Sequence, residues 1–573
     1  MTAPTEDQPN LVEVNRLTVE FVTRDGVVPA VRNVSFAIKP GETLGIVGES
    51  GSGKSVTSYA LMRILDDNGR IANGDMAYSG IDLVQASERQ MRTLRGREIS
   101  MIFQNPRSAL NPIRKVGLQI EDVLRQHSVA AGAAARRRAV ELLDTVRIND
   151  PERRYHAYPH ELSGGMCQRV VIALALACQP RVLIADEPTT GLDVTTQKTI
   201  LDLVRDLTAE SGMSMALITH DLGLAAEYCD RIVVMQRGEV VEAAATADLF
   251  GAPEHPYTRA LIRATPRREA TLRSLLPEDD IRRQEDAVRP VPGTARATPP
   301  MLAVSGLVKT FQPPSGGIWP FSKRGSAEPV RAVDDVSFNI WPDESVGLVG
   351  ESGCGKSTTS MMLMRLLDPT EGVISFNGED LAETSAADFP RHPLRSKLQM
   401  VFQDPTDCLN PRFTAARCIA DPILRLGDTR GRKEVARRVE ELADLVSLPT
   451  ALLDRFPHQL SGGQKARVGI ARAIALGPSF LVLDEPTAAL DVSVQAVVLN
   501  LLSDLRARLG LSYLFVSHDL TVVRLLCERI MVMRAGRIIE SGMTETVMTD
   551  PSDPYTASLL AASPEPPPAF VQD

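Results

Sequence analysis

Cysteine is scarce and unpaired. The seven in the 573-residue chain, Cys167, Cys178, Cys229, Cys354, Cys408, Cys418 and Cys527, form no CxxC pair, so neither a zinc site nor a disulfide framework is indicated. Such usage suits a reducing compartment. Long apolar runs are missing as well: none approaches the roughly 18 residues that a membrane-crossing helix needs. The opening MTAPTEDQPN lacks the basic, then apolar pattern of a secretory leader, so any membrane role is expected to be peripheral. There is no basic excess either. Sixty-three Lys and Arg stand against 72 Asp and Glu, a formal charge of −9, whereas a nucleic-acid binder normally carries a basic stripe.

What the chain has is internal repetition. Its length suggests two to four domains of about 100 to 250 residues each, and the repeats make two the expected number. GIVGESGSGKS (45–55) returns as GLVGESGCGKS (347–357), MIFQNP as MVFQDP, HELSGGMCQRV as HQLSGGQKARV, LIADEPTTGLD as LVLDEPTAALD, and LITHDL as LFVSHDL, in the same order. The expected domains are 1–264 and 301–573. Residues 265–300, charged and then Pro-rich, read as a linker with one short helix or as an extension of the first domain. Short apolar stretches bounded by turns, such as TLGIVG, RVLIAD and MALIT, read as buried parallel strands, with helical patterns after them. Each half is therefore expected to be an α/β domain, and the helical periodicity between Gln104 and Ser163 predicts an inserted helical subdomain.

Gly48–Ser55 and Gly350–Ser357 both fit GxxxxGK[ST] between a strand and a helix, the pattern of a P-loop. Backbone N–H groups and the helix N-terminus suit a polyphosphate, Lys54 or Lys356 neutralises it, and Ser55 or Ser357 ligates Mg²⁺. Asp186 and Asp484 close apolar strands, where a carboxylate can hold the Mg²⁺ shell, and Glu187 and Glu485 follow them, placed to polarise an attacking water. Either acidic pair alone is as readily a solvated strand end. His220 and His518 each follow a further strand and could reach the terminal phosphate.

Taken together, GESGSGKS, FQNP, LSGGMCQR, LIADEPTTGLD and THD resemble the nucleotide-binding domain of ABC transporters, and the second half is similar throughout. The resemblance implies two tandem P-loop domains of the ABC type and two ATP sites, each completed by the serine-glycine turn of the opposite domain. One site would join Gly48, Ser50, Gly51, Gly53, Lys54, Ser55, Val56, Gln104, Asp186, Glu187 and His220 to Ser461, Gly462, Gly463 and Gln464. The other would join Gly350, Ser352, Gly353, Gly355, Lys356, Ser357, Thr358, Gln403, Asp484, Glu485 and His518 to Ser163, Gly164 and Gly165. Gln104 and Gln403 would share in Mg²⁺ binding, and Phe21 and Phe311 match the adenine-stacking position, although a strand-core aromatic is nearly as good a reading. Asp193 and Asp491 match the loop that couples the sites. The implied cofactors are ATP and Mg²⁺.

SALNP-like stretches after the glutamines and a Pro-Tyr-Thr segment at each domain end (PEHPYTRALIRATP, PSDPYTASLLAASP) narrow the resemblance to peptide and nickel type importers. It implies an ATPase motor at the cytoplasmic membrane face, serving two permease subunits and an external solute-binding protein. Peptide is the expected solute, with glutathione, nickel chelate and oligosaccharide open. The rival reading is a soluble tandem ATPase on ribosomes or nucleic acid, which the acidic charge and the absence of heptads and CxxC pairs disfavour. Because no cysteine follows either Pro-Tyr-Thr segment within its own half, no iron–sulfur cluster is expected. Cys354, inside the second P-loop, is expected to be a reactive thiol with its pKa lowered by Lys356 and the loop dipoles. The stretch 312–329, carrying Trp319, Phe321, Lys323 and Arg324, reads as a flexible surface hairpin or as a membrane-facing or partner-facing loop. Met166, where the second half has Gln464, is the one signature position at which the halves suggest unequal partners.

Overall fold

The computed structural model describes residues 9–24, 26–276, 299–312, 329–427, 431–488 and 490–564. It divides into a unit of Met1–Thr265 with Pro564–Asp573 and a unit of Pro266–Ser563. The stretch expected to link the halves thus begins inside the second unit. There the Asn500 amide donates to the Leu272 carbonyl at 2.7 Å, Arg273 pairs with Asp504 at 2.8 Å, and Leu272, Leu275 and Leu276 are buried. Residues 277–298 and the body of the 312–329 stretch lie outside the described residues.

In the first unit a six-stranded sheet runs in the order Glu239–Ala245, Arg231–Gln236, Thr43–Val47, Ser214–Thr219, Val182–Asp186, Ile99–Ile102. All neighbours are parallel except the first pair. Strands of this kind are buried on both faces, which is why they read as continuous apolar runs. Leu44, Ile46, Ile184 and Ile218 enter one core, beneath a four-stranded antiparallel sheet. Val47, Leu183, Ala185 and Leu217 enter the other, under helices Val116–Gln126, Gly132–Thr145 and Gly164–Leu176. The first two of those helices form the inserted subdomain that the sequence predicts between Gln104 and Ser163, and the third follows it.

The second unit repeats the plan. Its six-stranded sheet has the order Leu398–Val401, Phe480–Asp484, Ser512–Ser517, Ser345–Val349, Arg529–Arg534, Arg537–Met543, and helices Ala415–Leu426, Arg432–Leu445 and Gly462–Ile474 stand where their counterparts do. The antiparallel sheet, strands Val12–Thr23, Gly26–Ile38, Gly69–Tyr78 and Ile81–Asp82 in the first unit, is a feature the sequence did not announce. Register shifts interrupt its pairing between Val14 and Leu17, where Arg16 takes φ +49°. Bulges of this kind break the alternation by which a half-buried strand is recognised.

Candidate functional site

Strand Thr43–Val47 delivers the chain into the first P-loop, and helix Lys54–Met62 leaves it. Gly48 has φ +152°, and a Cβ there would stand 2.2 Å from the Met235 carbonyl oxygen. Gly350 repeats this at φ +155° against Met533. Only glycine lets the loop pass that close to the neighbouring strand. Lys54 donates to the Gly48 and Glu49 carbonyls at 2.7 and 2.8 Å, and Lys356 to those of Gly350 and Glu351 at the same distances. Both ammonium groups are therefore held against their own loop, beside the first turn of a helix whose free N–H groups favour anions.

The acidic pair at the end of strand Val182–Asp186 is split by its surroundings into two kinds of carboxylate. Asp186 is fully buried; Ser55 Oγ donates to its Oδ1 at 2.9 Å, while Oδ2 is buried without a hydrogen-bond partner. Burial pushes its carboxyl up to about 6, against the Ser55 hydrogen bond and with help from the Glu187 charge. Asp484 is likewise raised to about 6 by burial and the Glu485 charge, and Ser357 Oγ lies 3.4 Å from it. A hydroxyl and a carboxylate oxygen with spare capacity form a hard oxygen set, which fits Mg²⁺.

A test follows from that burial. A carboxyl raised in the fold from the ordinary 3.8 to about 6 favours folding when protonated, below 3.8, and that contribution is lost as pH rises through 6. At pH 7 the ionised group costs up to ~3 kcal/mol. Asp186→Asn is therefore expected to raise the unfolding temperature of the nucleotide-free chain at pH 7 by about 2–6 °C, and to leave it unchanged near pH 4. Calorimetry at the two pH values checks this; a variant no more stable than the parent at pH 7 contradicts it.

Glu187 points the other way. It takes φ +44°, and Glu485 φ +45°, a left-handed conformation uncommon for residues other than glycine and enriched at functional sites. Gln104 donates to Glu187 Oε2 at 2.7 Å, Thr190 Oγ1 to the same oxygen at 2.9 Å, and His220 Nδ1 lies 3.3 Å from Oε1. Burial alone would raise this carboxyl. The His220 hydrogen bond and charge, the Thr190 hydroxyl and Lys54 outweigh it and hold it at about 2. Glu485 is contacted by Gln403 at 2.9 Å and by His518 at 3.3 Å, and its carboxyl is also lowered against burial. The residue in the place of Thr190 is Ala488, so the second glutamate has no such hydroxyl beside it. Both histidines are raised: burial opposes their charge, but the facing glutamate prevails. P-loop, aspartate, glutamate, glutamine and histidine thus converge in each unit, with the glutamine and histidine on the glutamate.

The serine-glycine turns open helices as the sequence expects. Ser163 caps helix Gly164–Leu176, accepting the Met166 N–H at 3.3 Å. Ser461 caps helix Gly462–Ile474 in the same way, and there the Gln464 side chain also accepts the Ser461 N–H at 3.0 Å, completing a capping box. Methionine cannot close that box, which gives the inequality of the two signatures a structural form. Gly165 and Gly463 pack against Thr196 and Val494, where added Cβ atoms would lie at 3.1 and 2.4 Å. Asp193 caps the neighbouring helix Val194–Ser211, accepting from Thr195 and Thr196, and Asp491 precedes helix Val492–Leu509. Phe311 is 42% exposed, whereas Phe21 is partly buried against the core beside Gly69.

Cys354 corrects its expectation. It is 7% exposed, and burial pushes its thiol up despite Lys356, whose Nζ is 4.0 Å away. Desolvation outweighs the loop dipoles, so it is a poor nucleophile rather than an activated one. Sequence reasoning also missed Thr190. Its sign is that Thr190 and Ala488 differ within the repeated motif, as the next pair, Gly191 and Ala489, also does.

The chain matches the family described as ABC transporter over residues 31–190 and 333–488, and the one described as Oligopeptide/dipeptide transporter, C-terminal region, over residues 241–288. The Glutathione import ATP-binding protein GsiA of Pectobacterium atrosepticum is 44% identical, with 97% of this chain and 89% of that protein covered. The protein of the same description from Salmonella typhimurium is 43% identical, with 97% and 90% covered. Among solved structures, cbiO1 from Clostridium perfringens, part of the ABC transporter complex cbiONQ, is 27% identical over 44% of this chain and 91% of its own, with a TM-score of 0.37.

Proposed function

The chain belongs to the ABC transporter family, and from that premise we propose that it is the ATP-hydrolysing motor of a binding-protein-dependent importer whose solute is glutathione or a similarly short peptide. The observation that carries the reading is completeness: each half holds its own P-loop lysine, aspartate, glutamate, glutamine and histidine in contact geometry. Likeness to glutathione import proteins along nearly the whole chain supports the solute class.

In this reading the P-loop amides of Gly48–Ser55 and Gly350–Ser357 cradle the phosphates, and Lys54 or Lys356, held at its carbonyls, turns its remaining ammonium hydrogen to the β- and γ-oxygens. Ser55 with Asp186, and Ser357 with Asp484, would hold Mg²⁺, which supplies charge neutralisation across those phosphates. Glu187, ionised at any working pH, orients and polarises the attacking water, while His220 and Gln104 fix the glutamate and the γ-phosphate side of the site. Glu485, His518 and Gln403 do the same in the second half. Ser461 with Gly463, and Ser163 with Gly165, supply helix N-termini to the phosphate of the opposite half. Each nucleotide then joins the halves, and hydrolysis releases them.

That movement would be passed to two permease subunits at the cytoplasmic face of the membrane, with an external binding protein delivering the solute. Among the described residues no helix is long and apolar enough to cross a membrane. Extraction tests the assignment: the chain is expected to come out of detergent-solubilised membranes with two permease chains, and the associated binding protein to carry glutathione or a short peptide. Recovery from cytosol with ribosomes would favour the rival reading.

A further inference from the structure

The Pro-Tyr-Thr segments take no part in the chemistry above, yet both reach a P-loop. In the first unit the Glu242 carboxylate, on strand Glu239–Ala245, accepts the N–H groups of Glu254 and His255 at 2.8 and 3.0 Å. This fixes the turn from which helix Pro256–Ala264 departs, with proline at its first position, where an N–H is not needed. The next residue, Tyr257, places its hydroxyl where it accepts the Glu49 N–H at 3.2 Å, across 208 residues of sequence.

The second unit builds the same bridge. Glu540 accepts from the Ser552 and Asp553 N–H groups at 2.7 and 3.2 Å, and Tyr555 accepts the Glu351 N–H at 3.2 Å. Tyr555 is 7% exposed, with the Arg534 guanidinium 4.7 Å above its ring. Burial pushes its hydroxyl up to about 12, so it stays a neutral acceptor.

The peptide plane it touches matters more than the contact itself. The Glu49 N–H belongs to the same planar unit as the Gly48 carbonyl, and that carbonyl receives the Lys54 ammonium at 2.7 Å. In the second unit the Glu351 N–H shares its plane with the Gly350 carbonyl, which receives Lys356 at 2.7 Å. A hydroxyl that holds the N–H therefore sets the direction of the C=O and of the amides that follow. The lysine holds the C=O end of that plane and the tyrosine hydroxyl holds its N–H end, so the two contacts together fix its tilt.

We propose that Tyr257 and Tyr555 are positioning residues of the ATP sites, each pinning the peptide plane whose carbonyl places the P-loop lysine. The C-terminal helix of each half is then a working part of its nucleotide site, not only a mark of the importer type. The proposal rests on the assignment of these loops to ATP.

The test is the full-length chain carrying Tyr257→Phe and Tyr555→Phe, which keeps the rings and removes only the hydroxyls. KM for ATP is expected to rise about five- to tenfold with kcat changed less than twofold, the signature of lost ground-state positioning. Equilibrium binding of a fluorescent ATP analogue should weaken by the same factor, and the unfolding temperature without nucleotide should stay within about 1 °C. Unchanged KM and unchanged analogue binding would overturn the proposal, as would a fall in kcat and melting temperature at constant KM. Lys54→Ala with Lys356→Ala serves as the control. If that variant also binds ATP normally, the loop assignment itself fails, which separates the two causes.

Discussion

Replacing Glu187 and Glu485 together by glutamine is expected to lower ATP turnover by about 10²–10⁴-fold, the usual worth of a positioned acid–base group, while ATP remains tightly bound. The geometry explains why so small a change should act so strongly. Each glutamate sits on a left-handed turn at the end of a buried strand, pinned by a glutamine and a histidine. Glutamine fits the same space but carries no charge with which to polarise water. The Gln104 and His220 contacts would lose their ionic partner without any change in the P-loop, so binding should survive. Release of phosphate from labelled ATP, measured beside retained nucleotide after gel filtration, checks both halves of the expectation. Turnover within about threefold of the parent would remove these residues from the chemistry.

The single variants should be unequal. Glu187 has the Thr190 hydroxyl on the oxygen that Gln104 also uses, and Glu485 faces Ala488 instead. On the signature side, Gln464 closes a capping box that Met166 leaves open. Neither difference removes a catalytic group, and so both sites are expected to hydrolyse ATP.

Much of this was legible because repetition turns weak signals into strong ones. A lone His220 or an acidic pair after a strand carries little information, but the same residue at the same place after a second P-loop does. Parallel strands such as Val182–Asp186 showed themselves because burial on both faces makes them uniformly apolar. Strand Val12–Thr23 did not, because bulges and a left-handed Arg16 break its alternation. Long-range contacts were invisible for another reason. The Tyr257 hydroxyl meets the Glu49 N–H over 208 residues, and a backbone donor leaves no side-chain trace in the sequence. Cys354 misled because sequence shows the neighbouring lysine but not the burial that outweighs it.

The claim that each serine-glycine turn serves the P-loop of the other half explains why one chain carries the set twice. It makes a sharp prediction about pairs of lesions, since two changes within one site cannot cost more than its loss, whereas changes in different sites add. In the background of Glu187→Gln and Glu485→Gln, the ATP trapped per chain is the quantity to measure. Lys54→Ala should remove one site. Adding Ser461→Arg should change little further, because both lesions then lie in the same site, whereas adding Ser163→Arg should bring trapped ATP close to zero. The opposite pattern, with Lys54→Ala and Ser163→Arg together no worse than Lys54→Ala alone, would mean that each half completes its own site.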